Sequence, residues 1–227
     1  MPENEIVFRG QIHITSGDIN IPANTPVTYG DSKSLIAVGK GGILYVNGDS
    51  DAKQYVRNCC VEAEGWIMVS GANATIGECH VNEKGCLSVV DGAFAYDVTV
   101  GGTATFRNAA TALRVLVSAG GSAHIENTTI KHLKVIVDGR AEVFSSGFLD
   151  EAVILNGGVC VLGSGCAARR VDVGSGAMLV IKDAVVTELW QDAGGVVSPK
   201  GKCKIHYQAN SPIGGPEYVD YDSKKEK

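Results

Sequence analysis

The chain is poor in the residues that helices and membrane spans need. Of its 227 residues only 11 are Leu, against 28 Val, so the apolar content is β-branched and suits strands. No apolar run approaches the roughly 20 residues of a membrane helix, so membrane insertion is not expected. The start, Met1-Pro2-Glu3-Asn4-Glu5, has no basic stretch followed by an apolar one and does not read as a secretory leader. Excess charge of one sign is lacking too. Twenty basic and 25 acidic side chains leave a net −5, and no nucleic-acid partner is expected, because phosphate binding needs a basic face. Paired C-x-x-C knuckles are missing from the seven cysteines Cys59, Cys60, Cys79, Cys86, Cys160, Cys166 and Cys203. No zinc site follows, and neither metal nor cofactor is expected. An odd, irregular set is no disulfide scaffold either; it reads as buried free thiols packed as small hydrophobes.

What is abundant is glycine, and its spacing is regular. Gly42, Gly65, Gly85, Gly102, Gly121, Gly139, Gly158, Gly176 and Gly195 each open a stretch of alternating apolar residues, at steps of 17–23 residues. Two and four positions on stand Leu44 and Val46, Ile67 and Val69, Leu87 and Val89, Ala104 and Phe106. The series continues through Ala123 and Ile125, Ala141 and Val143, Cys160 and Leu162, to Met178 and Val180. This alternation marks short strands with one buried face. The last unit departs, with Val197 followed by Pro199. A second apolar pair precedes each glycine: Cys59/Val61, Cys79/Val81, Val98/Val100, Val115/Val117, Val135/Val137, Val153/Leu155 and Val171/Val173. Six positions after the glycine come Gly71, Asp91, Asn108, Asn127, Ser145 and Ser164, types that tolerate left-handed backbone and close turns.

A unit of two or three short strands cannot bury a face alone, but stacked coils can. The expected fold is all-β: a single-domain, right-handed parallel β-helix of about nine coils, each 17–20 residues long. Leucine-rich repeats would need leucines at fixed strand positions and an Asn ladder, and neither is present. Residues 1–35, with Pro2, Pro22 and Pro26, read as an N-terminal cap; residues 36–199 as the coils; residues 200–227 as a C-terminal cap and mobile tail. Residues 47–53 read as a polar surface loop.

Val98-Thr99-Val100-Gly101-Gly102-Thr103-Ala104 and Val115–Ala123, more loosely Val153–Leu162 and Asp192–Ser198, resemble the V-x-x-G-G-x-A repeats of AIDA-type autotransporter adhesin passengers. The resemblance covers about residues 36–198. It implies a right-handed β-helical stalk at a bacterial surface, with adhesion as its activity and no catalytic residues.

Enzymes on β-helices stack two or three acids within a few ångströms for acid–base work. Asp91, Asp138, Asp150 and Asp183 fall at different repeat positions, so no catalytic cluster is expected. A column eleven to thirteen residues after the glycines is richer, with Asp97, Arg114, His132, Lys134, Glu151, Arg169, Arg170 and Glu188. It has two readings. Arg114, Lys131, His132, Lys134, Arg169 and Arg170 could line a basic groove for an anionic glycan, or the near-alternating signs could form a ladder of opposite charges across strands. Cys59 and Cys79 share an inward column in adjacent coils, within bridging distance for a disulfide, though packed thiols are the simpler reading. Asn73-Ala74-Thr75 and Asn127-Thr128-Thr129 fit a short glycosylation pattern that is common by chance.

The function expected is a non-enzymatic structural or adhesive β-solenoid, a stalk or binding module of a bacterial or phage surface protein. A carbohydrate-active or glycan-binding β-helix is the alternative. An intracellular filament subunit of the bactofilin kind is a third, favoured by the free thiols. Expected partners are a host or bacterial surface glycan or protein, or a second copy joined through coil edges or a side face. The cell surface or a secreted location is expected, with the cytoplasm left open by the thiols.

Overall fold

A computed structural model describes residues 6–8, 11–14, 17–21, 27–29, 35–48, 53–208 and 217–222. Among these the chain is all-β, without a helix, and forms two parallel sheets stacked as a β-solenoid of about nine turns. It divides into two compact units, Met1–Ala112 and Leu113–Lys227. The first contains β1 (Ile6–Phe8), β2 (Gln11–Ile14), β3 (Gly17–Ile21), β4 (Val27–Tyr29), β5 (Leu35–Val38) and β6 (Gly42–Asn47). It continues with β7 (Gln54–Val61), β8 (Trp66–Ser70), β9 (Ala74–Val81), β10 (Cys86–Val90), β11 (Phe94–Val100) and β12 (Thr103–Arg107). β13 (Thr111–Val117) spans the division. The second unit then holds β14 (Ser122–Glu126), β15 (Thr129–Val135), β16 (Arg140–Phe144), β17 (Phe148–Ile154), β18 (Val159–Leu162) and β19 (Ala167–Val173). β20 (Met178–Lys182), β21 (Val185–Gln191), β22 (Val196–Lys200), β23 (Lys202–Tyr207) and β24 (Glu217–Asp222) complete it.

In the first unit one sheet runs β3-β6-β8-β10-β12 and the other β2-β5-β7-β9-β11, with β1 paired to β4. In the second the orders are β14-β16-β18-β20-β22 and β15-β17-β19-β21-β23-β24. Every register given is parallel except β23 with β24, which is antiparallel. Parallel pairing reaches β2 and β3, before residue 36. Of the stretches read from sequence as caps, loop and tail, Pro2, Pro22, Pro26 and residues 49–52, 209–216 and 223–227 lie outside those described, while Glu217–Asp222 is β24.

Alternation puts the apolar columns inward. Leu44, Ile67, Leu87 and Ala104 lie in register on four neighbouring strands and are all buried, as are Val46, Val69, Val89 and Phe106. In the second unit Ala141, Cys160 and Leu179 form one such column and Val143, Leu162 and Ile181 another. Each buried Val, Leu or Ile contributes about 1.5–3 kcal/mol, and the core is this set of ladders.

The anchoring glycines are required by close approach. A Cβ on Gly65 would lie 2.0 Å from the carbonyl oxygen of Val38, and one on Gly42 2.2 Å from that of Ile14. Gly85, Gly102, Gly139, Gly158 and Gly195 meet backbone oxygens of the preceding coil in the same way. The left-handed turns fall six positions on, at Gly71, Asp91, Asn108, Asn127 and Ser145. In the next coil Gly165 takes the left-handed angle instead of Ser164.

Three assignments of face are corrected. Gly176 lies within the turn, at φ 71°. Ala177 occupies the anchor position, because β20 pairs with β18 as Met178↔Val159. Leu179 and Ile181 therefore point inward, and Met178 is outward and 40% exposed. On β15 the inward pair is Leu133 and Val135, while Val137 has left the strand for a left-handed turn and is 50% exposed. On β17 the inward pair is Ala152 and Ile154, not Val153 and Leu155. In each case apolar residues stand on both faces, so alternation alone cannot fix the register.

Candidate functional site

The longer strands turn a corner midway. The burial pattern of β17 places two outward residues, Asp150 and Glu151, between the buried Leu149 and Ala152. β15 presents Lys131 and His132 at the same step, β19 presents Arg169 and Arg170, and β21 Thr187 and Glu188. His132, Glu151, Arg170 and Glu188 are in register on successive strands. Five of the six candidate groove residues thus come together on neighbouring coils of the second unit. The sixth, Arg114, sits at φ 58° on β13, the strand beside β15, and has an interaction partner of its own.

Acids lie between these bases. His132 Nδ1 is 2.9 Å from Glu151 Oε2. Arg169 donates from Nε to Asp150 Oδ1 at 2.5 Å and from Nη2 to Glu151 Oε1 at 3.3 Å. One continuous chain of pairs results, His132–Glu151–Arg169–Asp150. The guanidinium of Arg169 holds the Asp150 carboxyl below its ordinary range, with Lys131 and His132 adding to the effect. Arg170 is committed elsewhere: its Nη2 is 3.5 Å from Asp172, and its guanidinium stacks 4.6 Å from the Trp190 ring centroid. Partial burial pushes the Asp172 carboxyl up, against the pull of Arg170. Lys131 and Lys134 project outward and are exposed.

Two of the other acids serve turns. Asp91 accepts from Ser70 Oγ at 3.1 Å and Asn108 Nδ2 at 3.0 Å. Asp183 accepts from the Lys202 backbone N–H at 2.8 Å. No group of three His, Cys, Asp or Glu that could hold a metal occurs among the described residues. All seven cysteines are free. Cys59 and Cys79 are register partners with both thiols buried, and burial pushes the Cys160 thiol up to about 12. Cys60 is half-buried and Cys86 exposed, so the reading of all seven as core thiols holds for five.

A second cluster is not apparent from the sequence. On the first unit, Tyr55 of β7 and Tyr96 of β11 reach across the intervening β9 and hydrogen-bond through their hydroxyls. Their rings are 6.3 Å apart between centroids and 8° from parallel, and Phe94 stacks 6.2 Å from Tyr96. Gly77 of β9 makes room, since a Cβ there would lie 2.1 Å from Tyr96 Cζ. A glycine inside a strand was the available signal, because it marks close approach by another group.

No family model matches the chain, and no curated protein does. Among solved structures, the crystal structure of a TibC-catalysed, hyper-glycosylated TibA fragment is similar. It is 19% identical over 86% of this chain and 95% of that one, with a TM-score of 0.34.

Proposed function

We propose that the chain is a non-enzymatic structural or adhesive β-solenoid, a stalk or binding module of a bacterial or phage surface protein. The observation that carries this reading is the paired chain His132–Glu151–Arg169–Asp150. A general acid needs a carboxyl whose pKa is raised towards the working pH, whereas Arg169 lowers that of Asp150. The richest outward column of ionisable groups therefore suits a cross-strand ladder better than proton transfer. Purified protein incubated with pectin or alginate is expected to release no new reducing ends. Release that Asp150→Asn abolishes would overturn the proposal.

The exposed Lys131 and Lys134 favour a second reading, in which the same corner retains an anionic glycan. An anion would have to compete with Asp150 and Glu151 for Arg169, so retention would be weak and salt-sensitive. Replacing Arg114, Lys134 and Arg170 together would abolish it on sulfated or uronic-acid glycans.

A further inference from the structure

The aromatic cluster of the first unit takes no part in the charged corner. We propose that Tyr55, Phe94 and Tyr96 form a platform that binds an uncharged pyranose ring of a glycan. This rests on the binding-module reading above and gives that module a ligand class and a site.

Four observations lead there. Tyr96 lies across the bare backbone of Gly77, so the sheet surface is flattened under its ring instead of being studded by a β9 side chain. The three rings, all partly exposed, span β7 to β11, two strand spacings or about 10 Å, the length of one or two sugar rings. The apolar area is small. Beside the rings, β9 offers Thr75 and Glu78, β7 offers Arg57 and Asn58, and β11 offers Asp97. Three rings fall far short of the roughly 800 Å² per partner that a stable protein interface buries. Finally, Arg57 and Glu78 both act electrostatically on Tyr96 with opposite signs, and Asp97 adds a second acid, so the rim carries no excess positive charge to select an anion or a phosphate backbone.

A pyranose matches this arrangement. Its axial C–H face is apolar and packs against aromatic carbon, while its equatorial hydroxyls point outward to polar groups at the rim, as ligand sites with a few placed polar groups require. One tyrosine hydroxyl already donates to the other, which leaves the rings, not the hydroxyls, as the main contact.

The experiment uses the whole chain with cellohexaose, chitohexaose and maltohexaose as probes, followed by calorimetry and by tyrosine absorbance. Wild type is expected to bind at least one of them, with a perturbed tyrosine spectrum and equal affinity in low and high salt. Tyr96→Ala and Tyr55→Ala should each weaken binding tenfold or more, while Tyr55→Phe/Tyr96→Phe stays within threefold of wild type and Lys182→Gln, on the exposed face of β20, is unchanged. Should the Ala variants fail to fold, Gly77→Ala, which displaces the Tyr96 ring, must reduce affinity instead. Absence of wild-type binding to all three probes overturns the platform, as does binding that leaves the tyrosine spectrum unmoved. Hydrolysis of a probe would overturn the non-enzymatic reading and is seen separately, as shorter products.

Discussion

Glycines of one repeat are held by different constraints, and substitutions separate them. Gly65 is not in the left-handed region; what bars a side chain is the Val38 carbonyl oxygen 2.0 Å from the missing Cβ. That oxygen accepts the Glu62 N–H at 2.8 Å, so it cannot retreat without losing a bond between coils. Gly101 has no positive φ, and its Cβ would find ordinary contact 3.4 Å from the Val81 oxygen. Gly65→Ala is therefore expected to cost about 1–3 kcal/mol through overpacking, a fall of roughly 3–10 °C in Tm for a chain of this size. Gly101→Ala should stay within about 0.5 kcal/mol of wild type. Equal melting temperatures for the two would show that coil spacing does not depend on the bare glycine.

Strands bring out the difference between pattern and register. Where polar residues alternate with apolar ones, as in Gly85-Cys86-Leu87-Ser88-Val89, the inward face is legible from sequence and the structure agrees. Where both faces are apolar, as in Met178-Leu179-Val180-Ile181, nothing local separates them, and an anchor read one residue early inverts the strand. The neighbour decides: Cys160 and Leu162 on β18 pair with Leu179 and Ile181, and only that register closes the core. Leu179→Lys is expected to abolish the cooperative melt, because a buried ammonium has no partner there, whereas Met178→Lys should melt near wild type. The opposite ranking in thermal denaturation would restore the earlier register. The repeat period and the parallel coil stack were legible because bare glycines and buried columns recur along the chain. β24 was not, because a strand of reversed direction has no place in the repeat.

At the level of the molecule, sites form between coils, which is why they are hard to read along the chain. The basic column was visible as residue types, but whether it is a groove or a ladder depended on Asp150 and Glu151 on the strand between, and those contacts span 18–19 residues. Tyr55 and Tyr96 are 41 positions apart, with only Gly77 as a hint. The thiols test the packing as a whole. Cys59, Cys79, Cys160, Cys166 and Cys203 are buried, so a thiol reagent at mildly alkaline pH should modify Cys86 quickly and Cys60 slowly, the other five reacting only as the protein unfolds. Prompt modification of more than two thiols would contradict a close-packed interior. The antiparallel pairing of β24 with β23 has a consequence for how such a molecule changes length. Every other strand in that sheet offers the next coil an edge running in its own direction, but β24 offers a reversed one. A duplicated repeat appended there would find no matching template, whereas one spliced in upstream of β23 would meet parallel neighbours on both sides. Duplications that lengthen this solenoid are accordingly expected upstream of β23, with the β23–β24 pair passed on intact.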